Sequence, residues 1–355
     1  MTVSDKELLL GKEVPVEKVE RELRLLWEAD DARTNASLIN LAIYSEDKDA
    51  LIENSNIIRE ITREHACRAL LISLQKDVKE VAVRAWINAH CHLAHGQKSV
   101  CCEQIAFELT GHSRGRFRNT IFANVQSDLP LIFWWQGNLS EMFNESFYRR
   151  VNRLVVDSSN WDNPVEQFNK IGDAIDKVNL VVQDLSWTRT YYFRLALASL
   201  YDDLTLENSL DKVDQIKLVI HPENRLSGLQ LIAWFATMAG WERAQDLISD
   251  EANSGSYRFS NTLGNLVDVE IVEDESSAPL GSFEVLSGDV RVAVSRELGG
   301  KHLHQELVNG SHVIDVHGPT DSDSKSELVT DQLSRGGKNS LFKKVLPMFI
   351  GLLKS

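Results

Sequence analysis

Apolar residues recur along this chain with two different periods, and the switching between them lays out an architecture. Val16, Val19, Leu23 and Leu26 fall at helical spacing, which predicts an amphipathic helix ending near Asp30. Residues 37–44 (SLINLAIY) read as a strand, Leu51, Ile58, Ile61 and His65 as the stripe of a helix, and residues 68–74 as a second strand. Two β-like runs, 81–93 and 100–109, are joined by the turn-like AHGQKS and predict a hairpin. A helix from about Ser113, an apolar strand over 129–135, a helix over 141–152 and a strand over 153–157 follow. The expected fold class is α/β, a mixed sheet with covering helices.

Pro164 opens another helix at a position where its missing N–H costs little, and a strand over 179–184 begins a second unit. Residues 189–201 and 227–239 read as buried helices. From Tyr257 to Val316 short runs such as VDVEIVE and VRVAVSR alternate strictly, which predicts a half-exposed antiparallel sheet and an α+β C-terminal unit. Residues 318–339 are polar, as a tether would be. The end, SLFKKVLPMFIGLLKS, is apolar with a basic edge at Lys343, Lys344 and Lys354, and Pro347 is expected to break its helix. The predicted organisation is a helix in 1–34, an α/β domain over 35–165, an α+β domain over 166–318, a linker over 319–339 and a tail over 340–355. Such a tail needs a surface to cover it, on its own domain or on a partner.

A length of 355 residues suits two domains. Lys plus Arg number 38 against 52 Asp plus Glu, and a net charge of −14 argues against nucleic acid. The N-terminus is charged throughout, unlike a secretory signal, and no stretch reaches the roughly 18–20 apolar residues of a membrane span. A cytoplasmic protein is expected. Cys67, Cys91, Cys101 and Cys102 include no CxxC pair, so reduced thiols are expected too.

Candidate chemistry is sparse. Gly111-His112-Ser113-Arg114-Gly115 fits G-x-S-x-G between a strand and a helix, with Asp157, Asp184 and His221 following in the order of a hydrolase triad. Charge from Arg114, Arg116 and Arg118 would crowd a strained nucleophile, and Ser113 serves equally as a helix cap. The same Ser113, Arg114, Arg116 and Arg118 form a candidate anion site at a helix N-terminus. His90, Cys91, His92, His95, Cys101 and Cys102 are the densest set of metal-ligand types, but strand alternation sends neighbours to opposite faces, so no metal is expected. The adjacent Cys101 and Cys102 are redox candidates if exposed. Neither G-x-G-x-x-G after a strand nor G-x-x-x-x-G-K-[ST] is present, and no cofactor is expected.

The segment DLPLIFWWQG adds a resemblance. Its Asp128, Leu129, Pro130, Trp134, Trp135 and Gly137 resemble the DLP-x3-WW-x-G signature of the OpcA proteins, the assembly and activation partners of glucose-6-phosphate dehydrogenase. Cys91-His92-Leu93, residues 100–105 (VCCEQI), residues 153–159 (RLVVDSS) with Trp161, and residues 184–189 (DLSWTR) agree in order. The resemblance runs from about Ala36 to the β-rich region near Val316 and implies a non-catalytic protein that binds the dehydrogenase, to which NADP and glucose 6-phosphate would belong. Photosynthetic relatives are linked to thiol control through cysteines towards the C-terminus; here no cysteine follows Cys102.

Trp134 and Trp135, of which one is expected in the core and the other nearer a surface or a helix layer, and the cluster Asp184, Trp187 and Arg189 are the candidate partner contacts. The alternative is a small-molecule, hydrolase-like enzyme centred on Ser113. A third reading, a membrane-surface adaptor using the tail, is the weakest because the tail is too short to span.

Overall fold

A computed structural model describes residues 9–28, 33–35, 37–94, 98–111, 114–251, 254–335 and 339–354. In chain order its strands are β1 (Lys12–Val14), β2 (Arg33–Asn35), β3 (Ile39–Ser45), β4 (Cys67–Gln75), β5 (Val83–Ala94), β6 (Lys98–Thr110), β7 (Leu131–Trp135), β8 (Arg153–Val156) and β9 (Val181–Asp184). There follow β10 (Gln215–Ile220), β11 (Glu242–Glu251), β12 (Ser254–Ser260), β13 (Leu266–Glu273), β14 (Leu280–Ser287), β15 (Val290–Ser295), β16 (His302–Asn309) and β17 (His312–Pro319). The α-helices are α1 (Val19–Glu28), α2 (Ala50–Ile61), α3 (Arg114–Asn124), α4 (Glu145–Tyr148), α5 (Pro164–Val178), α6 (Leu185–Thr188), α7 (Tyr191–Tyr201), α8 (Arg225–Ala239), α9 (Lys325–Ser334) and α10 (Ser340–Leu353).

The chain divides into two compact units. The first draws on Met1–Asn160, Asp173–Gln183 and Lys325–Lys338; the second on Trp161–Gly172, Asp184–Ser324 and Asn339–Ser355.

In the first unit the strands lie in the order β1-β5-β6-β4-β3-β7-β8-β9, with β2 also on β6. β6, β4, β3, β7 and β8 pair in parallel, while the β5–β6 hairpin supplies the antiparallel edge. Counting β3, β4, β6, β7, β8 and β9 alone, the order from β6 to β9 is third, second, first, fourth, fifth, sixth, which is the order of the doubly wound dinucleotide fold. Central parallel strands are covered on both faces, so β3, β4 and β7 are near-continuous apolar runs. α1 buries Val19 and Leu23 on Ala85, Ile87, Ile105 and Phe107 of the hairpin.

The second unit is a sheet in the order β11-β12-β13-β10-β14-β15-β16-β17, antiparallel except for the β10–β13 pair. Alternation fixes its faces: Ile216, Leu218, Ile220, Val267, Val269, Ile271, Phe283 and Val285 are buried between exposed or half-exposed neighbours. Helix α8 lies on the buried side, with Phe235 against Phe283 at 5.4 Å between ring centres. A side chain at Gly228 would meet Leu218 and Ile220 at 3.0–3.2 Å, so the missing Cβ lets α8 approach the sheet.

Four expectations change. Residues 141–152 form one helical turn, α4, because Phe143, Phe147 and Tyr148 turn inward from a run of tight turns. The expected tether contains α9, held by burial of Leu328 and Val329 and by the Arg153 guanidinium, which donates to the Gln332 carbonyl at 2.9 Å. The expected tail is a helix that continues through Pro347 and packs on α8; burial of Phe342, Val345, Leu346, Phe349 and Leu352 offsets the lost backbone bond. Finally, Cys91 and Cys101, directly opposed in the hairpin, form a disulfide rather than two thiols.

Candidate functional site

Ligands of doubly wound sheets sit at the C-terminal strand ends where the strand order reverses, here between β3 and β7. The chain leaves β3 through Glu46-Asp47-Lys48-Asp49 and enters α2 at Ala50; it leaves β7 through Gln136-Gly137-Asn138. Gln136 prolongs the parallel pairing by donating its backbone N–H to the Tyr44 carbonyl at 2.9 Å. Gly137 takes φ of 77°, a left-handed turn that glycine adopts without strain.

The crevice is tied by its own side chains. Asn54 on α2 and Gln136 at the end of β7 exchange two amide hydrogen bonds, at 3.0 and 2.8 Å. The Tyr44 hydroxyl donates to Glu46 at 2.7 Å, and burial, reinforced by the Glu46 charge, pushes that phenol well above its usual range. Lys76 spans Glu46 at 2.6 Å and Glu141 at 3.5 Å. Asp47 accepts the Asp49 N–H at 3.0 Å, donates its own N–H to Ser45 at 3.1 Å, and receives the Ser73 hydroxyl on its carbonyl at 3.0 Å.

A dinucleotide needs a glycine turn after the first strand and open N–H groups at the start of the following helix to face its pyrophosphate. These residues do not fit that need. No glycine lies between Ser45 and Ala50; the exposed positions are Glu46, Asp47, Lys48 and Asp49, and Asp47 and Asp49 already place negative charge at the start of α2. A pyrophosphate here would meet carboxylates in place of donors.

The family-like segment turns out to be scaffold. Asn40 on β3 clamps it: the Asn40 N–H donates to the Pro130 carbonyl at 2.9 Å, and its amide bonds Gln126 and Leu129 at 2.9–3.0 Å. Trp134 and Trp135 are 1% and 0% exposed, so neither presents the surface that a partner contact needs. Trp135 packs edge-on to Tyr44 at 4.5 Å and donates its indole N–H to the Asn138 carbonyl at 3.0 Å. The Trp134 indole N–H is buried with no partner among the described residues.

Asp184 is fully buried, caps α6 through the Ser186 N–H at 3.2 Å and accepts from the Gln230 amide at 2.6 Å. Trp187, half-buried, lies under the Arg194 guanidinium at 3.8 Å and edge-on to Phe342; Arg189 is buried. The structure thus brings Asp184, Trp187 and Arg189 together as a packed helix start.

Ser113 lies outside the described residues. Of the arginines beside it, Arg114 opens α3, Arg116 is exposed, and Arg118 donates to Ser146. His221 accepts the Glu223 N–H on Nδ1 at 3.3 Å, so it does not offer the Nδ1–H that a triad aspartate must receive. Among the described residues no group of three His, Cys, Asp or Glu is placed to hold a metal. Cys102 is buried beside Cys67; their hydrogen bond, then burial, push the Cys67 thiol up.

The acidic run Glu46-Asp47-Lys48-Asp49 stands where the absent glycine motif would lie. That run was the available signal. The Asn54–Gln136 pair had none, since 82 residues separate its members.

Fold and site together define a two-unit chain built on a dinucleotide-fold scaffold whose switch point carries exposed carboxylates and a paired Asn54–Gln136 amide bridge in place of a glycine turn. Its family follows from sequence. The model of the glucose-6-phosphate dehydrogenase subunit N-terminal domain matches residues 58–173, and that of the subunit's C-terminal domain matches residues 180–346. The chain belongs to the OpcA family of glucose-6-phosphate dehydrogenase assembly subunits.

Among solved structures, a 3-ketoreductase from Actinomadura kijaniata in complex with TDP-benzene and NADP is similar at 9% identity and TM-score 0.50, over 89% of this chain and 97% of that one. An aldose-aldose oxidoreductase from Caulobacter crescentus matches at 9% identity and TM-score 0.49, with the same coverage. At such identity the first likeness is one of fold alone. No curated protein matches the chain by sequence.

Proposed function

We propose that the chain is a non-catalytic assembly factor and allosteric activator that binds glucose-6-phosphate dehydrogenase directly in the cytoplasm, within the oxidative pentose phosphate pathway. Family membership carries this reading, since the matched domains span most of both units and are named for the dehydrogenase's subunit. The carboxylates at the switch point support it, because they turn a crevice suited to a dinucleotide into one that disfavours it. NADP and glucose 6-phosphate then belong to the partner. No helix among the described residues is long and apolar enough to cross a membrane.

An activator of this kind works by binding the active arrangement of its partner more tightly than the inactive one. A difference of about 1–3 kcal/mol shifts such an equilibrium some 5- to 150-fold and needs no reacting group. The hydrolase-like alternative loses support from His221 and Asp184, both committed to backbone and amide partners.

Size-exclusion chromatography of the chain mixed with the dehydrogenase of the same genome tests the proposal. A shared peak at a defined ratio is expected. Separate elution at micromolar concentrations of both would contradict it.

A further inference from the structure

The second unit contains a cavity of about 300 Å³ between α7 and α8, lined chiefly by Leu197, Tyr201, Leu210, Trp234, Phe235 and Met238. Its origin lies in how the two helices spend their apolar faces. Phe193, Leu197 and Leu200 of α7 turn inward, as do Leu231, Ile232 and Phe235 of α8. What remains is an apolar stripe that nothing among the described residues of the unit covers. Leu195 and Ala198, three residues apart on α7, lie on one side of that helix; Leu195 is 51% exposed, and Met238 at the cavity mouth is 41% exposed.

Two polar groups mark the same place. The Tyr201 side chain lines the cavity, its hydroxyl has no hydrogen-bond partner among the described residues, and burial raises its pKa. Asp202 also lines the mouth, is exposed, and has no ion-pair partner among the described residues. The concavity thus offers an apolar floor with Trp and Tyr walls, one hydrogen-bonding atom and one open negative charge.

We propose that this cavity is a docking point for the dehydrogenase, receiving one large apolar side chain of that partner with an adjacent Lys or Arg paired to Asp202. The inference rests on the proposed function above and adds where the contact is made. Interfaces concentrate their energy in aromatic-lined pockets that receive a single anchor, and exposed Leu195 extends the apolar area beyond the cavity as an interface core requires. Charge selects the occupant. A chain of net charge −14 with Asp202 at the mouth attracts a basic segment. A second copy of this chain carries the same net charge of −14, which opposes its approach.

Met238→Glu and Ala198→Glu test the site, because both positions are exposed and neither change should disturb the core. Titration calorimetry of each variant against the purified dehydrogenase is expected to show binding weakened at least about ten-fold, with melting temperatures within a degree or two of the parent. Asp202→Lys is expected to weaken binding and to flatten its dependence on salt. Affinities within about two-fold of the parent for all three variants would overturn the docking point while leaving the proposed function intact. If the parent chain itself forms no complex, both fall. A dimer of the chain alone that Met238→Glu abolishes would assign the cavity to a second copy and overturn the proposal.

Discussion

Asn54 and Gln136 exchange two amide hydrogen bonds across the switch point of the first sheet, tying α2 to the end of β7. Asn54 is buried and Gln136 half-buried, so removing one amide leaves the other short of a partner where water is partly excluded, at a cost of about 1–3 kcal/mol. Asn54→Ala is expected to lose that much unfolding free energy in urea titrations. The double variant with Gln136→Ala is expected to lose less than the two single losses combined, as contacting residues do. Strict additivity would show that the amides do not act as a pair.

A second buried link fastens α1 to the sheet. Arg68 on β4 meets Glu103 on β6 at 3.0 Å with both side chains buried; Glu103 also accepts the Trp27 indole N–H at 2.7 Å, and Arg68 bonds the Asn124 carbonyl and Glu20. Glu103→Ala removes the buried partner of Arg68 and the acceptor of the Trp27 indole and leaves Arg68 with the more exposed Glu20, which is expected to cost about 1–3 kcal/mol. Arg68→Met combined with Glu103→Met is expected to recover much of the loss. Chemical denaturation of the two variants decides; a loss below about 1 kcal/mol for Glu103→Ala would mean that Glu20 and water together satisfy Arg68.

How much of this was readable in the residues depends on how local the cause is. β3, β4 and the β5–β6 hairpin follow from runs of apolar or alternating residues, and α5 from Pro164 and its periodic face. Residues 325–334 hid a helix because Leu328 and Val329 are its main buried apolar anchors in an otherwise polar stretch. β10 and β11 were missed: QIKLVI is short, and ERAQDLISDE is mostly polar. The pair Trp134-Trp135 belongs to a central strand covered on both sides, so alternation, which would expose one of them, does not apply. The acidic run after β3 is explicit in residues 46–49. Its meaning depended on knowing that β3 is the first strand of a doubly wound sheet.

His90 links stability to pH. Burial lowers its pKa from 6.5, partly opposed by the hydrogen bond to Gln104 at 2.8 Å. The folded state thus binds fewer protons than the unfolded state once pH falls below about 6.5. Its contribution is fully present above that value and is lost as pH falls through the lowered folded value. Melting temperatures are expected to drop between roughly pH 7 and pH 5, and His90→Gln is expected to flatten that slope. An unchanged slope in the variant would assign the effect to other groups.

The buried tryptophans separate scaffold from contact. Trp135→Ala removes a side chain packed on Tyr44, Phe143 and Phe147 and is expected to cost about 3–5 kcal/mol. Circular dichroism melts and partner binding, read on the same sample, would expose the difference. A Trp135→Ala protein with parental stability and no partner binding would return this residue to the contact surface.

The central claim, a chain that acts on the dehydrogenase and performs no dehydrogenation itself, is tested most directly by following NADPH formation. Glucose 6-phosphate and NADP are given to the dehydrogenase with increasing amounts of this chain, and to the chain alone. The rate at low substrate is expected to rise and saturate at a fixed ratio of the two proteins, with none from the chain alone. A rate indifferent to the chain, or turnover by the chain alone, would contradict the account.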